Sequence, residues 1–291
     1  MRRYATLTVV LAVSVFVSCA PQRQAQPPLA PVAVLEGFDV PECALVDPQT
    51  GFIYVSNIEA TPETYWSDNG KGSISRLRRD GTMDARRWID SSPEFALNSP
   101  KGMCILDGRL YVADNTRILV FSLDSGRPVS ALAVDGAGRL NDMATDGRHA
   151  YVSDTQAGRI LRVDGSGQGR HETVAELESV NGITFDGERM YAVSWDLHEV
   201  YQIDRSGKQP PQPLGLAEHF ANLDGIEVLD DGSFIVSDFV GNRVVRISKD
   251  RRTVTTLAEL KTPADIGWDR VNRRLFVPQL TVDKLAIYHL P

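Results

Sequence analysis

Asn181-Gly182-Ile183-Thr184-Phe185-Asp186-Gly187, followed by Met190-Tyr191-Ala192-Val193-Ser194 and Val200-Tyr201-Gln202-Ile203-Asp204, is one copy of a unit that the chain repeats. Short runs rich in β-branched and aromatic residues, separated by Gly-containing turns, describe a meander of strands. The same phase recurs in Asn141-Asp142-Met143-Ala144 with Tyr151-Val152-Ser153-Asp154 and Ile160-Leu161-Arg162-Val163-Asp164. It recurs again in Asp224-Gly225-Ile226-Glu227-Val228 with Phe234-Ile235-Val236-Ser237-Asp238 and Val244-Val245-Arg246-Ile247. Three further copies open at Glu42-Cys43-Ala44-Leu45, Lys101-Gly102-Met103-Cys104 and Ala264-Asp265-Ile266-Gly267.

The starts fall at residues 42, 101, 141, 181, 224 and 264. Four of the five intervals are 40 to 43 residues; the first is 59 and must hold an insertion, which Pro62, Tyr65, Trp66 and Asn69-Gly70 place at residues 59–71. A meander of this size cannot cover its own faces, and radial repetition about an axis solves that problem. The expected fold is all-β, a six-bladed β-propeller over residues 34–291. Val32-Ala33-Val34-Leu35 precedes the first unit and is expected to close the ring by pairing with Lys284–Leu290. A flat sandwich is the alternative, and the regular phase argues against it.

Ahead of the repeats, Met1-Arg2-Arg3 is a positive n-region and Ala5–Ser18 an apolar run about half as long as a bilayer span requires. It ends in Phe16-Val17-Ser18-Cys19, the pattern of a signal peptide over residues 1–18. A Cys straight after a small residue resembles the bacterial lipobox. That resemblance implies lipidation at Cys19 and a chain anchored in the bacterial cell envelope, facing the periplasm, at the outer membrane. Residues 20–33 hold four Pro and three Gln and read, with Cys19, as a flexible tether. A composition of 42% hydrophobic and 24% charged residues is that of a soluble globular protein. With a net charge of −7 and no long basic cluster, nucleic acid is not an expected partner. Cys43 and Cys104 either pair in an oxidising compartment or stay separate buried thiols.

In a propeller the first strand of each blade lines the axis, so residues at one phase form a ring. Here that ring is Glu42, Lys101, Asn141, Asn181, Asp224 and Ala264, with Gly or apolar residues read at the next positions. Two carboxylates with amide oxygens, and no His or Cys, match Ca²⁺ and disfavour Zn²⁺. The alternative is a satisfied polar plug in which Lys101 bridges Glu42 and Asp224. There is no Gly-x-Ser-x-Gly elbow and no P-loop. The five His fall in turns or outer segments by phase. Asp114, Asp154 and Asp238, recurring at the ends of second strands, read as turn-stabilising carboxylates.

These blade starts resemble those of gluconolactonase and regucalcin-type propellers across almost the whole mature chain. The resemblance implies that Glu42, Asn181 and Asp224 hold a divalent metal, usually Ca²⁺. It implies that Arg139 and Asn141, in Arg139-Leu140-Asn141-Asp142, position substrate. The expected activity is hydrolysis of a lactone or simple ester, with Asp224 as general base and Lys101 as a candidate for the developing oxyanion. A small lactone or sugar acid would be the ligand and the membrane a partner through the lipid. The family's usual Glu-Gly-Pro is Glu42-Cys43-Ala44 here, its Asn-Asp-Gly is Asn141-Asp142-Met143, and Lys101 has no counterpart in it. A non-enzymatic propeller that binds a ligand or another envelope protein is the competing function.

Overall fold

The computed structural model describes Met1, residues 27–164 and residues 170–291. Most of the expected signal segment and Cys19 lie outside the described residues. Six four-stranded antiparallel sheets form a six-bladed propeller. Five are consecutive meanders with inner strands Pro41–Val46, Pro100–Leu106, Leu140–Thr145, Val180–Asp186 and Leu223–Val228. The sixth takes Gly267–Asp269, Arg274–Gln279 and Lys284–His289 from late in the chain and its outermost strand, Ala33–Glu36, from early in it. The closing register runs from Ala33 opposite Ile287 to Glu36 opposite Lys284.

The second strands begin with apolar runs because they are covered on both faces, and Ile53–Asn57, Ala150–Asp154 and Phe234–Asp238 are buried at every residue, their closing Ser-Asn or Ser-Asp included. Their side chains enter six apolar clusters, one at each junction between neighbouring blades. Outer strands such as Met83–Asp90 are mostly half-buried or exposed. The segment read as a tether to residue 33 is already docked at Leu29, whose amide donates to Leu257 O at 2.6 Å. The insertion after the first blade's second strand contains a short 3₁₀ turn, Pro62–Thr64.

The recurrent aspartates anchor the entry to the inner strand of their own blade. Asp114 accepts from the amides of Asn98 and Ser99, at 2.9 and 2.7 Å. Asp154 accepts from Gly138 and Arg139, and Asp238 from Ala221 and Asn222. Arg117, Arg159 and Arg243 bridge the same carboxylates from the start of the third strand. Each carboxylate thereby ties an incoming loop to its own blade, which sets where the following inner strand begins.

Candidate functional site

In five blades the ladder between first and second strands skips two residues. Pro41 pairs with Asn57 and the next pair is Ala44 with Val55; the skip repeats at Pro100/Met103, Leu140/Met143, Val180/Ile183 and Leu223/Ile226. Such a bulge frees its residues from strand alternation and re-aims their side chains. Three bulges are fixed by a serine one strand over: Cys43 N donates to Ser56 Oγ at 3.0 Å, Asp142 N to Ser153 Oγ at 2.9 Å and Gly225 N to Ser237 Oγ at 2.7 Å.

The first skipped residue of each blade supplies the ring. Glu42, Lys101, Asn141, Asn181 and Asp224 are all buried, as is Ala264 in the sixth blade. Asn141 Nδ2 donates to Asn181 Oδ1 at 2.7 Å, and Asn181 Nδ2 to Leu223 O at 3.4 Å. Burial first, then the charge of Asp142, pushes the Asp224 carboxyl up to about 7 against a hydrogen bond from Asn181. Glu42 is raised well above its ordinary range by burial and by Asp224. Its Oε2 is buried and has no hydrogen-bond partner among the described residues.

Lys101 does not bridge the two carboxylates. Its Nζ donates to Tyr65 O and Ser99 O, both at 3.0 Å, and sits 3.9 Å from the centre of the Trp66 ring. Burial lowers its pKa to about 8. Two carbonyls and one aromatic face engage the three donors of an ammonium. The oxyanion role expected of Lys101 therefore has no free donor in this arrangement. Arg139 is exposed, with its guanidinium carbon 5.2 Å from the same Trp66 ring. The insertion thus lies over the Lys101 side of the ring, and Asn115 Nδ2 holds it further by donating to Asp68 Oδ1 at 2.7 Å.

Among the described residues no three His, Cys, Asp or Glu side chains converge on a metal position. A divalent cation at the ring would be held by two carboxylates, Glu42 and Asp224, and completed by amide oxygen from Asn181. The donor set is all hard oxygen, and the unpartnered Glu42 Oε2 is the atom such a cation would satisfy.

The next position along the inner strands corrects the sequence reading: in two blades it is an aspartate. Asp142 accepts from Met143 N and Ile183 N, both at 2.6 Å, and takes a hydrogen bond from Asp265. Asp265 in turn contacts the Cys43 thiol. Burial raises Asp142 to about 7 and Asp265 well above its ordinary range. Glycines occupy three of the other positions in this layer for a steric reason. A Cβ on Gly102 would lie 2.4 Å from Asp142 Cα, one on Gly182 2.3 Å from Asp224 O, and one on Gly225 2.5 Å from Asp265 Oδ1. The signal was present in the pairs Asn141-Asp142 and Ala264-Asp265, where only the first residue was assigned to the axis. Cys43 and Cys104 are separate buried thiols. Beyond this layer a cavity of about 360 Å³ opens toward the far ends of the inner strands, lined by residues that include Asp142 and Asp265 but none of the ring residues.

A comparison with curated protein sequences found no match. Among solved structures, a luciferin-regenerating enzyme is similar at 16% identity and a TM-score of 0.62, covering 90% of this chain and 96% of its own. A catalytically inactive virginiamycin B lyase from Staphylococcus aureus, solved with quinupristin, is similar at 15% identity and a TM-score of 0.58, covering 89% of this chain and 99% of its own. At such identities the likeness concerns the fold. The family model described as SMP-30/Gluconolactonase/LRE-like region matches residues 40–267. With the repeat, the six blades and that match over most of its length, the chain belongs to the SMP-30/gluconolactonase/LRE-like family.

Proposed function

We propose that the protein is a divalent-cation-dependent hydrolase of lactones or simple esters, working at the Glu42–Asn181–Asp224 end of the axis. Anchored through a lipid on Cys19, it would act in the periplasm-facing cell envelope. The observation that carries the reading is the buried, unpartnered Oε2 of Glu42 beside Asp224, with Lys101 turned away to Tyr65, Ser99 and Trp66. Ca²⁺, when bound, supplies polarisation of the ester carbonyl and a more acidic water. Asp224, on the axis and beside the cation, is the carboxylate suited to take a proton from water. Asn141 and Asn181, locked by their mutual hydrogen bond, orient hydroxyl groups at the ring. Arg139, exposed beside Trp66, is placed to hold the hydroxyls or carboxylate of a sugar acid. Lys101 keeps the insertion in position.

A binding propeller without catalysis is the second reading, favoured by the insertion that lies over one side of the ring. A screen of sugar lactones with and without EDTA separates the two. The hydrolase reading expects turnover that EDTA abolishes and Ca²⁺ restores. Lactone binding without turnover would decide for the binding module.

A further inference from the structure

The residue that leaves each second strand holds one place in its blade. Ile58, Thr155, Trp195, Phe239 and Leu280 each donate the backbone amide to Val40 O, Arg139 O, Ser179 O, Asn222 O and Thr262 O, at 2.8 to 3.1 Å. Each of those carbonyls lies two residues ahead of a ring residue: Glu42, Asn141, Asn181, Asp224 and Ala264. Asn115, directly after Asp114 at the end of its second strand, takes the same place in the second blade. The repeated bond therefore sets a second circle of residues beside the ring, one from each blade.

This circle is two-sided. Blades four, five, six and one are neighbours once the propeller closes, and they supply Trp195, Phe239, Leu280 and Ile58; blades two and three supply Asn115 and Thr155. The polar pair is turned to protein partners: Asn115 Nδ2 donates to Asp68 Oδ1, and Thr155 Oγ1 to Val180 O at 2.7 Å. On the apolar side Ile58 and Leu280 are buried and pack with Val40 and with Ala264, the apolar member of the ring. Phe239 packs against that cluster, and its ring centre lies 5.2 Å from that of Trp195. Trp195 and Phe239 are only half-buried, and Val240 next to them is 53% exposed. Two large aromatic side chains thus keep free surface where their blades present Asn181 and Asp224.

Three of the four apolar blades are the ones that carry Glu42, Asn181 and Asp224. A carbonyl on a cation held by those residues places the rest of its molecule against the apolar arc. A sugar lactone, with a hydroxyl on nearly every carbon, would press those hydroxyls onto Trp195 and Phe239 and lose water without gaining partners. An alkyl chain or aryl ring gains from covering the same surface. We infer that the site selects a lactone or ester with an apolar body, laid on Trp195 and Phe239, over a polyhydroxylated sugar lactone. The inference rests on the hydrolase reading of the ring and narrows its substrate class; polarity in the substrate is met at one end only, by Asn141 and Arg139.

Kinetics of the full chain in Ca²⁺ with three lactones of one ring size test this: bare δ-valerolactone, δ-decalactone with its alkyl tail, and polyhydroxylated glucono-δ-lactone. After subtraction of the uncatalysed rate, kcat/KM should be highest for δ-decalactone, by roughly tenfold or more over the other two. Trp195→Ser and Phe239→Ser should each lower the ratio of δ-decalactone to glucono-δ-lactone by roughly tenfold, while Trp195→Phe keeps most of it. A purely structural role for these side chains would lower both substrates together and leave the ratio unmoved. If one serine variant does not fold, the other and the probe series decide. If no lactone is turned over, the hydrolase reading falls, and the preference is read by isothermal titration with the ring-opened acids 5-hydroxydecanoate and gluconate, which carry the same charge. The first should then bind roughly tenfold tighter or better, and the serine variants should narrow the gap. The inference is overturned by equal or reversed preference within either pair, by a preference that the serine variants leave intact, or by 5-hydroxydecanoate failing to bind when nothing is turned over.

Discussion

Asp224→Asn replaces an ionisable carboxyl by an amide of the same size at a buried position on the axis. In the unfolded chain Asp224 ionises near 3.8; in the native protein it does so only at about 7. Between those values the native state holds a proton that the unfolded chain has released. Raising the pH therefore favours unfolding, and the penalty is complete once the pH passes the native value. At about 1.4 kcal/mol for each pH unit, easing off as the native value is approached, the native state loses about 2 kcal/mol from this group between pH 5 and pH 7. For a domain of this size that is roughly 4–8 °C in Tm. Glu42, Asp142, Glu227 and Asp265, all raised by burial, slope in the same direction; because the charge of Asp224 helps raise Glu42 and Asp265, the variant removes the Asp224 share together with part of theirs. Thermal unfolding in EDTA from pH 5 to pH 8 should show wild type losing Tm with rising pH and Asp224→Asn losing markedly less. Added Ca²⁺ should raise the wild-type Tm more at pH 8 than at pH 5, because the cation binds the ionised carboxylates, and should scarcely move the variant. A wild-type Tm that is flat in EDTA, or a variant with the full wild-type slope, refutes the reasoning.

Deleting residues 284–291 removes the last strand with its ladders to both neighbours and the buried Leu285, Ala286, Ile287, Tyr288 and Leu290. At about 1.5–3 kcal/mol per large apolar side chain the loss rivals the whole stability of a domain, so cooperative melting should disappear; a truncated chain with the wild-type Tm would show that the ring does not depend on this closure. Cys19→Ser should release the protein from the membrane fraction or leave the precursor unprocessed. Unchanged, processed, membrane-bound protein counts against the lipid anchor.

Blade number and axial phase were legible in the chain because strand and turn preferences are written in consecutive residues. Glu42, Lys101, Asn141, Asn181 and Asp224 recur at one phase, and equal phase in a radial repeat means one ring. The closing pair of strands was legible for the same reason, as an unmatched apolar run ahead of the first unit. The direction taken by Lys101 was not. A long flexible ammonium goes where acceptors are, and Tyr65 O, 36 residues away, comes from an insertion with no repeat phase to place it. The second layer escaped because its members look like punctuation: Gly102, Gly182 and Gly225 are small to admit their neighbours, and only folding shows that two of those neighbours are the buried carboxyls Asp142 and Asp265. Asp142 and Asp265 meet across blades three and six, and Cys43 stays unpaired with Cys104 beside them. Sequence alone determined the blades and the first ring of residues at the axis. Tertiary structure decided how those residues pair and that the far end of the axis is hollow, because both depend on contacts between blades that no local pattern encodes.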